Sequence, residues 1–218
     1  IVVVHCALGA VEWTGALDHV RANIHDDVHL IVSDARDRQG NPKDFLGMVE
    51  ARHILKGPDV NPWPDDGRRY CTSDLKRGPA NRDIRGYAEN VLGTKLVISC
   101  FGFRAEEGSR RKKVNPWQHN AKMERAGRTW IDFSPIHDMP ERTVFQTIRD
   151  AGQTPHWCYA KNRRMSCMFC VFGHPQDWRH AAQVNPTLYK RYVEMEQRFG
   201  FTMRPDRVSL QTIVEGAI

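Results

Sequence analysis

The sequence has no apolar run approaching the length of a membrane span, and its first residues lack the charged-then-apolar pattern of a secretory signal. No membrane partner is expected, and the chain is placed in the cytoplasm. Cysteine is scarce and uneven: six in 218 residues, with three of them between residues 158 and 170. In a reducing compartment such a cluster points to metal ligands or redox groups rather than disulfides. Neither charge sign dominates, since 32 Lys and Arg face 26 Asp and Glu for a net charge of +6. That excess is compatible with an anionic ligand, a nucleotide or a nucleic acid, and too small to require either. Internal repeats and low-complexity segments are also missing, which excludes solenoids and disordered tracts.

What remains is ordinary globular material, 40% hydrophobic and 27% charged, and long enough to bury a substantial core. The chain opens directly on IVVVH, an apolar run that reads as a buried strand, so sequence upstream of Ile1 is expected. Leu17, Val20 and Ile24 predict a helix over 14–25, VHLIVS a second strand over 28–33, and Phe45 to Leu55 a helix. KGPDVNPWPDDG is a loop by its prolines and glycines. A helix over 73–92, interrupted near Pro79, precedes a strand over 95–102, and WIDFSPI predicts another strand. Asp138 is expected to cap a helix with Glu141 as its capping-box partner and Gly152 as its stop, and Val144, Phe145 and Ile148 share one face. In the last strong helix Leu188, Tyr192, Met195 and Phe199 form a core stripe. Strands alternating with helices predict an α/β fold, a parallel sheet covered on both faces. Ligands of such sheets sit beyond the carboxyl ends of the strands, after IVVVH and after VISCFG.

Three segments carry chemistry. Cys167 and Cys170 form a C-x-x-C, whose turn lets two thiolates face one ion, and Cys158 lies nine positions before Cys167. The fourth ligand is either Cys71, giving an all-thiolate set that suits an iron–sulfur cluster, or His174, giving a Cys3His zinc site. The bland alternative is a reduced turn without metal. GFRAEEGSRRKK, at 102–113, places Arg104, Arg110, Arg111, Lys112 and Lys113 after a strand, as phosphate or sulfate donors or as a solvated face. RRYCTSDLKRGP, at 68–79, surrounds Cys71 with Arg68, Arg69, Lys76 and Arg77, which biases the thiol toward thiolate; the plain alternative is a capped helix start with a half-buried cysteine.

Taken in order, these stretches resemble the PAPS reductase-like family of the PP-loop (adenine nucleotide α-hydrolase-like) superfamily. IVVVHCALGAVEW resembles its H-x-x-x-G-x-x-E strand end through His5, Gly9 and Glu12. RRYCTSDLKRGP resembles its arginine-cysteine-lysine-proline segment through Arg69, Cys71, Lys76 and Pro79. GFRAEEGSRR is similar to G-x-R-x-x-E-S-x-x-R through Gly102, Arg104, Glu107 and Arg111, with Gly108 where the family has serine. WIDFSPIHDMPERTVFQTI resembles the next segment, and SCMFC the late C-x-x-C of cluster-bearing members.

The resemblance implies a Rossmann-like parallel sheet flanked by helices over residues 1–155, with a Cys-rich helical part over 156–218. The family's first strand and its S-G-G-K-D-S phosphate loop are expected upstream of Ile1. It further implies an adenine nucleotide (ATP, or the sulfonucleotides APS or PAPS) as substrate, with His5, Gly9 and Glu12 near it and Arg69, Lys76, Arg104, Glu107 and Arg111 at its phosphate or sulfate. Cys71, Cys158, Cys167 and Cys170 would hold a 4Fe–4S cluster. The implied reaction is sulfonucleotide reduction, ATP-dependent sulfur transfer or adenylylation, with a sulfur donor or reductant protein as partner. No cysteine follows Cys170, so the C-terminal nucleophile of PAPS reductases has no counterpart. The competing expectation is a nucleic-acid-associated module with structural zinc.

Overall fold

The computed structural model describes residues 1–216. The chain divides into two units, one formed by residues 1–81 together with those from 156 onward, the other by 82–155. This grouping differs from the division into 1–155 and 156–218 expected from the sequence. One hydrophobic core explains it: Leu8, Trp13, Leu46, Val49, Trp63 and Leu75 pack with Met168, Phe169, Trp178, Tyr192 and Leu210.

In the first unit, β1 (Val2–Ala7) pairs in parallel with β2 (His29–Asp34), Val2 opposite His29 and Ala7 opposite Asp34. Both strands were legible as β-branched runs, but β1 is half-buried along its length rather than fully enclosed. A 3-10 turn, Gly9–Val11, follows β1, with Gly9 at φ +64° where a side chain would be strained. Helix α1 (Ala16–Asn23) leads back to β2. Helix α2 (Phe45–Lys56) is capped by Asp44, whose carboxylate accepts from Gly47 N at 2.9 Å.

The interruption expected near Pro79 is a π turn. Helix α3 (Tyr70–Thr72) passes through Ser73–Arg77, where the Gly78 N–H donates to the Ser73 carbonyl, and resumes as α4 (Gly78–Asn90). Pro79 lacks an N–H, so the ordinary ladder cannot continue there, and one residue is absorbed as a wide turn. A Cβ on Gly78 would lie 2.9 Å from the Ser73 carbonyl oxygen, so the turn needs glycine. Helices α7 (Pro175–Val184), α8 (Pro186–Phe199) and α9 (Leu210–Glu215) complete this unit, with Gly200 ending α8 at φ +70°.

In the second unit β3 (Leu96–Cys100) pairs in parallel with β5 (Thr129–Phe133), and β4 (Trp117–His119) adds to β5 antiparallel. Helix α5 (Ser109–Lys112) is one short turn, and α6 (Glu141–Asp150) lies beyond β5. The architecture is thus mixed α/β with parallel pairs, arranged as a two-stranded and a three-stranded sheet. One continuous parallel sheet was expected; β4 and the separation of the two sheets were not. The expected cap of α6 also differs. Asp138 instead meets His137 at 2.7 Å, and the Glu141 N–H is taken by the Glu106 carboxylate at 2.8 Å, a partner outside the local sequence window. Among the described residues no helix is long and apolar enough to cross a membrane.

Candidate functional site

In the first unit three of the sequence-predicted segments converge. At the end of β1 the His5 ring meets Glu12 at 2.9 Å, while the other Glu12 oxygen accepts the Leu8 N–H. Burial opposes the charge on Glu12, but the His5 bond and the backbone N–H groups of Leu8 and Gly9 hold its carboxyl below the ordinary value. The turn so closed offers the Val11 carbonyl to Met168 N at 2.9 Å, which docks the C-x-x-C segment on it. Within that segment Cys170 N donates to the Cys167 carbonyl at 3.1 Å, a tight turn.

Gly173 lets the chain leave this turn. Its N–H donates to the Cys170 carbonyl at 2.6 Å, and the same carbonyl accepts Trp178 Nε1 at 2.9 Å. A Cβ there would lie 2.5 Å from Trp178 Nε1 and 2.9 Å from the Cys170 oxygen, so no side chain fits.

Cys71, from α3, lies within electrostatic reach of this pair, although a long stretch of chain separates them. Burial raises the Cys71 thiol above its ordinary value, and nearby Cys170 adds to that. Burial pushes Cys167 up to about 11, against the Lys76 ammonium; Cys170, Cys71 and Glu12 reinforce the rise. Lys76 lies on the π turn and feels all of these thiols. Burial works against its charge, yet Cys167, Cys170, Cys71 and Cys6 together hold the ammonium above its ordinary value. Cys6 Sγ also lies 3.7 Å from the Lys76 carbonyl.

The remaining expected residues of this unit take other positions. Cys158 is fully buried in the core; burial and the Asp177 carboxylate push its thiol up to about 11. His174 caps α7, its Nδ1 accepting from Gln176 N at 3.3 Å, with Asp177 completing a capping box. Arg69 pairs with Asp66 and stacks on the Phe172 ring at 4.3 Å. An open groove of about 390 Å³ runs beside the Cys71 segment, bordered by Lys43, Arg52, Tyr70 and Asp74.

In the second unit the arginine signature forms an ion network. The Arg104 guanidinium contacts Glu106, Glu107 at 3.5 Å and Glu141 at 2.7 Å. Arg111 pairs with Glu107 and covers the Phe103 ring at 4.5 Å. Both expected anion-binding arginines are thus already neutralised by carboxylates, which an arriving phosphate or sulfate would have to displace.

All six cysteines are free thiols. Among the described residues no group of three or more His, Cys, Asp or Glu is drawn together to hold a metal ion. A thiolate-bound zinc brings its sulfurs to roughly 3.8 Å of one another, from Zn–S bonds of about 2.3 Å in a tetrahedron. An iron–sulfur cluster spaces its cysteines further apart, because its own irons and sulfides lie between them. Cys71, Cys167 and Cys170 are soft thiols that act on one another electrostatically. No protein-family model matches the chain, and no curated protein matches it in sequence.

Proposed function

We propose that the chain is a PAPS reductase-like enzyme that acts on an adenine nucleotide and carries a thiolate-bound iron–sulfur cluster. What supports this reading is the electrostatic interaction of Cys71, Cys167 and Cys170 with one another and with Lys76, on two segments that the family resemblance also singles out. In this reading Cys71, Cys167 and Cys170 hold the cluster, and Cys158, buried in the core, is structural. When bound, such a group supplies electrons or an iron position that takes up sulfur, which suits sulfonucleotide reduction or sulfur transfer.

The protein's own residues prepare the site in definite ways. Lys76 keeps a positive charge among the thiols, which favours their thiolate form and offsets negative charge on a bound centre or an adjoining phosphate. The His5–Glu12 contact fixes the turn that docks the C-x-x-C segment. In the second unit Arg104 and Arg111 are aligned by Glu106, Glu107 and Glu141, so an anion exchanging with those carboxylates meets guanidinium groups already in place.

Anaerobic purification followed by counting iron, acid-labile sulfide and zinc tests the cofactor, and calorimetric titration with ATP, APS and PAPS, on protein extended upstream of Ile1 to include the expected phosphate loop, tests the substrate. Iron with matching sulfide, and saturable binding of one of these nucleotides, are expected. Stoichiometric zinc without iron contradicts the reading and favours the zinc module.

A further inference from the structure

Helix α2 carries two apolar faces, and the core uses one of them. Phe45, Leu46 and Val49 are buried, whereas Met48, Ala51 and Leu55, at helical spacings of three and four, line the open groove beside α3. Leu55 is 79% exposed, so this second face is left uncovered. Tyr70 and Asp74 complete the lining, and the groove encloses about 390 Å³, within the range of small-molecule sites.

Arg52 stands in this groove without an ion pair among the described residues. Its guanidinium lies over the Tyr70 ring, 4.8 Å from the centroid, and its Nε is buried with no hydrogen-bond partner. The ring offers the charge a π face but no oxygen to accept the N–H groups. Tyr70 is itself fixed, because its hydroxyl donates to the Pro62 carbonyl at 2.6 Å. Both carboxylates of the groove are engaged elsewhere: Asp44 caps α2 through Gly47 N, and Asp74 accepts the Ser73 hydroxyl. The enclosed guanidinium groups of Arg104 and Arg128, by comparison, are each met by carboxylates. A half-buried guanidinium without an acceptor is costly, and an anion is the piece that is missing.

We infer that this groove is a binding site for a small monocarboxylate with an apolar body. The carboxylate forks onto Arg52, since its two coplanar oxygens match the guanidinium donors, and the body covers Met48, Ala51 and Leu55. Lys43, also lining the groove, adds a second positive charge. Asp44 and Asp74 decide the charge of the ligand. They balance Lys43 and Arg52, so the groove admits a monoanion and disfavours di- and polyphosphates. Nothing in this site requires a metal or a nucleotide.

The test follows the Met48 methyl resonance in protein isotopically labelled at its methionine methyl groups, titrated with naphthoate, naphthamide and naphthyl phosphate. Naphthoate is expected to shift that resonance saturably. The neutral naphthamide, of the same shape, is expected to bind at least about tenfold more weakly, having lost its charge-assisted hydrogen bonds. Naphthyl phosphate is expected to bind more weakly than naphthoate, because its extra charge meets Asp44 and Asp74. Arg52→Leu and Leu55→Glu should each lower naphthoate affinity about tenfold or more. Leu55 is exposed, so Leu55→Glu keeps the fold and decides the matter should Arg52→Leu fail to fold. A Met48 signal unmoved by naphthoate, an amide that binds as well as the acid, or unchanged affinity in Leu55→Glu overturns the site. Tighter binding of naphthyl phosphate overturns the choice of a carboxylate.

Discussion

At the scale of single residues, the account separates cysteines by what surrounds them. Cys158 is fully buried in the core, so Cys158→Ser is expected to leave iron per chain unchanged. It should cost about 1–3 kcal/mol in a denaturation titration, because a more polar hydroxyl replaces a fully buried thiol. Loss of iron in that variant would restore Cys158 to the ligand set. Glu196 makes a separate prediction. It is buried on α8 and accepts the N–H groups of Met203 and Leu210, each at 2.7 Å, tying the chain after α8 to the start of α9. Burial raises its carboxyl above the ordinary value, with those two N–H groups pulling the other way. A raised value means tighter proton binding in the folded state. That contribution is complete below the ordinary carboxylate value and is lost as pH climbs through the folded one. Denaturation midpoints of wild type relative to Glu196→Gln should therefore decline as pH rises from about 4 to about 7. A relative gain over that range contradicts the assignment.

At the scale of elements, two glycines hold the candidate site in shape. Gly173→Ala drives a methyl into Trp178 Nε1 and the Cys170 carbonyl. The expected loss is about 1–3 kcal/mol in chemical denaturation, with fewer irons retained because the C-x-x-C turn must open. Gly78→Ala pushes on the Ser73 carbonyl and should convert the π turn to ordinary helix, rotating Lys76 away from the thiols. Iron retention and the lysine's accessibility to an amine reagent read this out; unchanged values would show that the π turn does not position Lys76. Elements with strong local signals were legible beforehand: β1 and β2 as β-branched runs, α2 from its periodicity, and α8 from the stripe ending at Gly200. Elements set by distant partners were not. β4 is three residues long and exposed throughout, which leaves no alternation to read. The α6 cap comes from Glu106, outside any local window. Tyr192 was read correctly as core.

At the scale of the whole molecule, the motif order pointed to one Rossmann-like parallel sheet, whereas the described residues form two small sheets in two units. Strand pairing depends on which edges find partners, and a one-dimensional pattern carries no such information. Pairing Cys71 with the C-x-x-C was expected only from the order of motifs, since spacing alone left Cys71 and His174 as candidates. The account's central claim is that Cys71 belongs with Cys167 and Cys170. The most direct measurement is iron and acid-labile sulfide per chain in anaerobically purified wild type and Cys71→Ser, alongside the visible absorption spectrum. The account predicts a brown wild type with iron and sulfide in matching amounts, and a variant that has lost most of both. Equal iron in the two proteins, or zinc in place of iron, would contradict it.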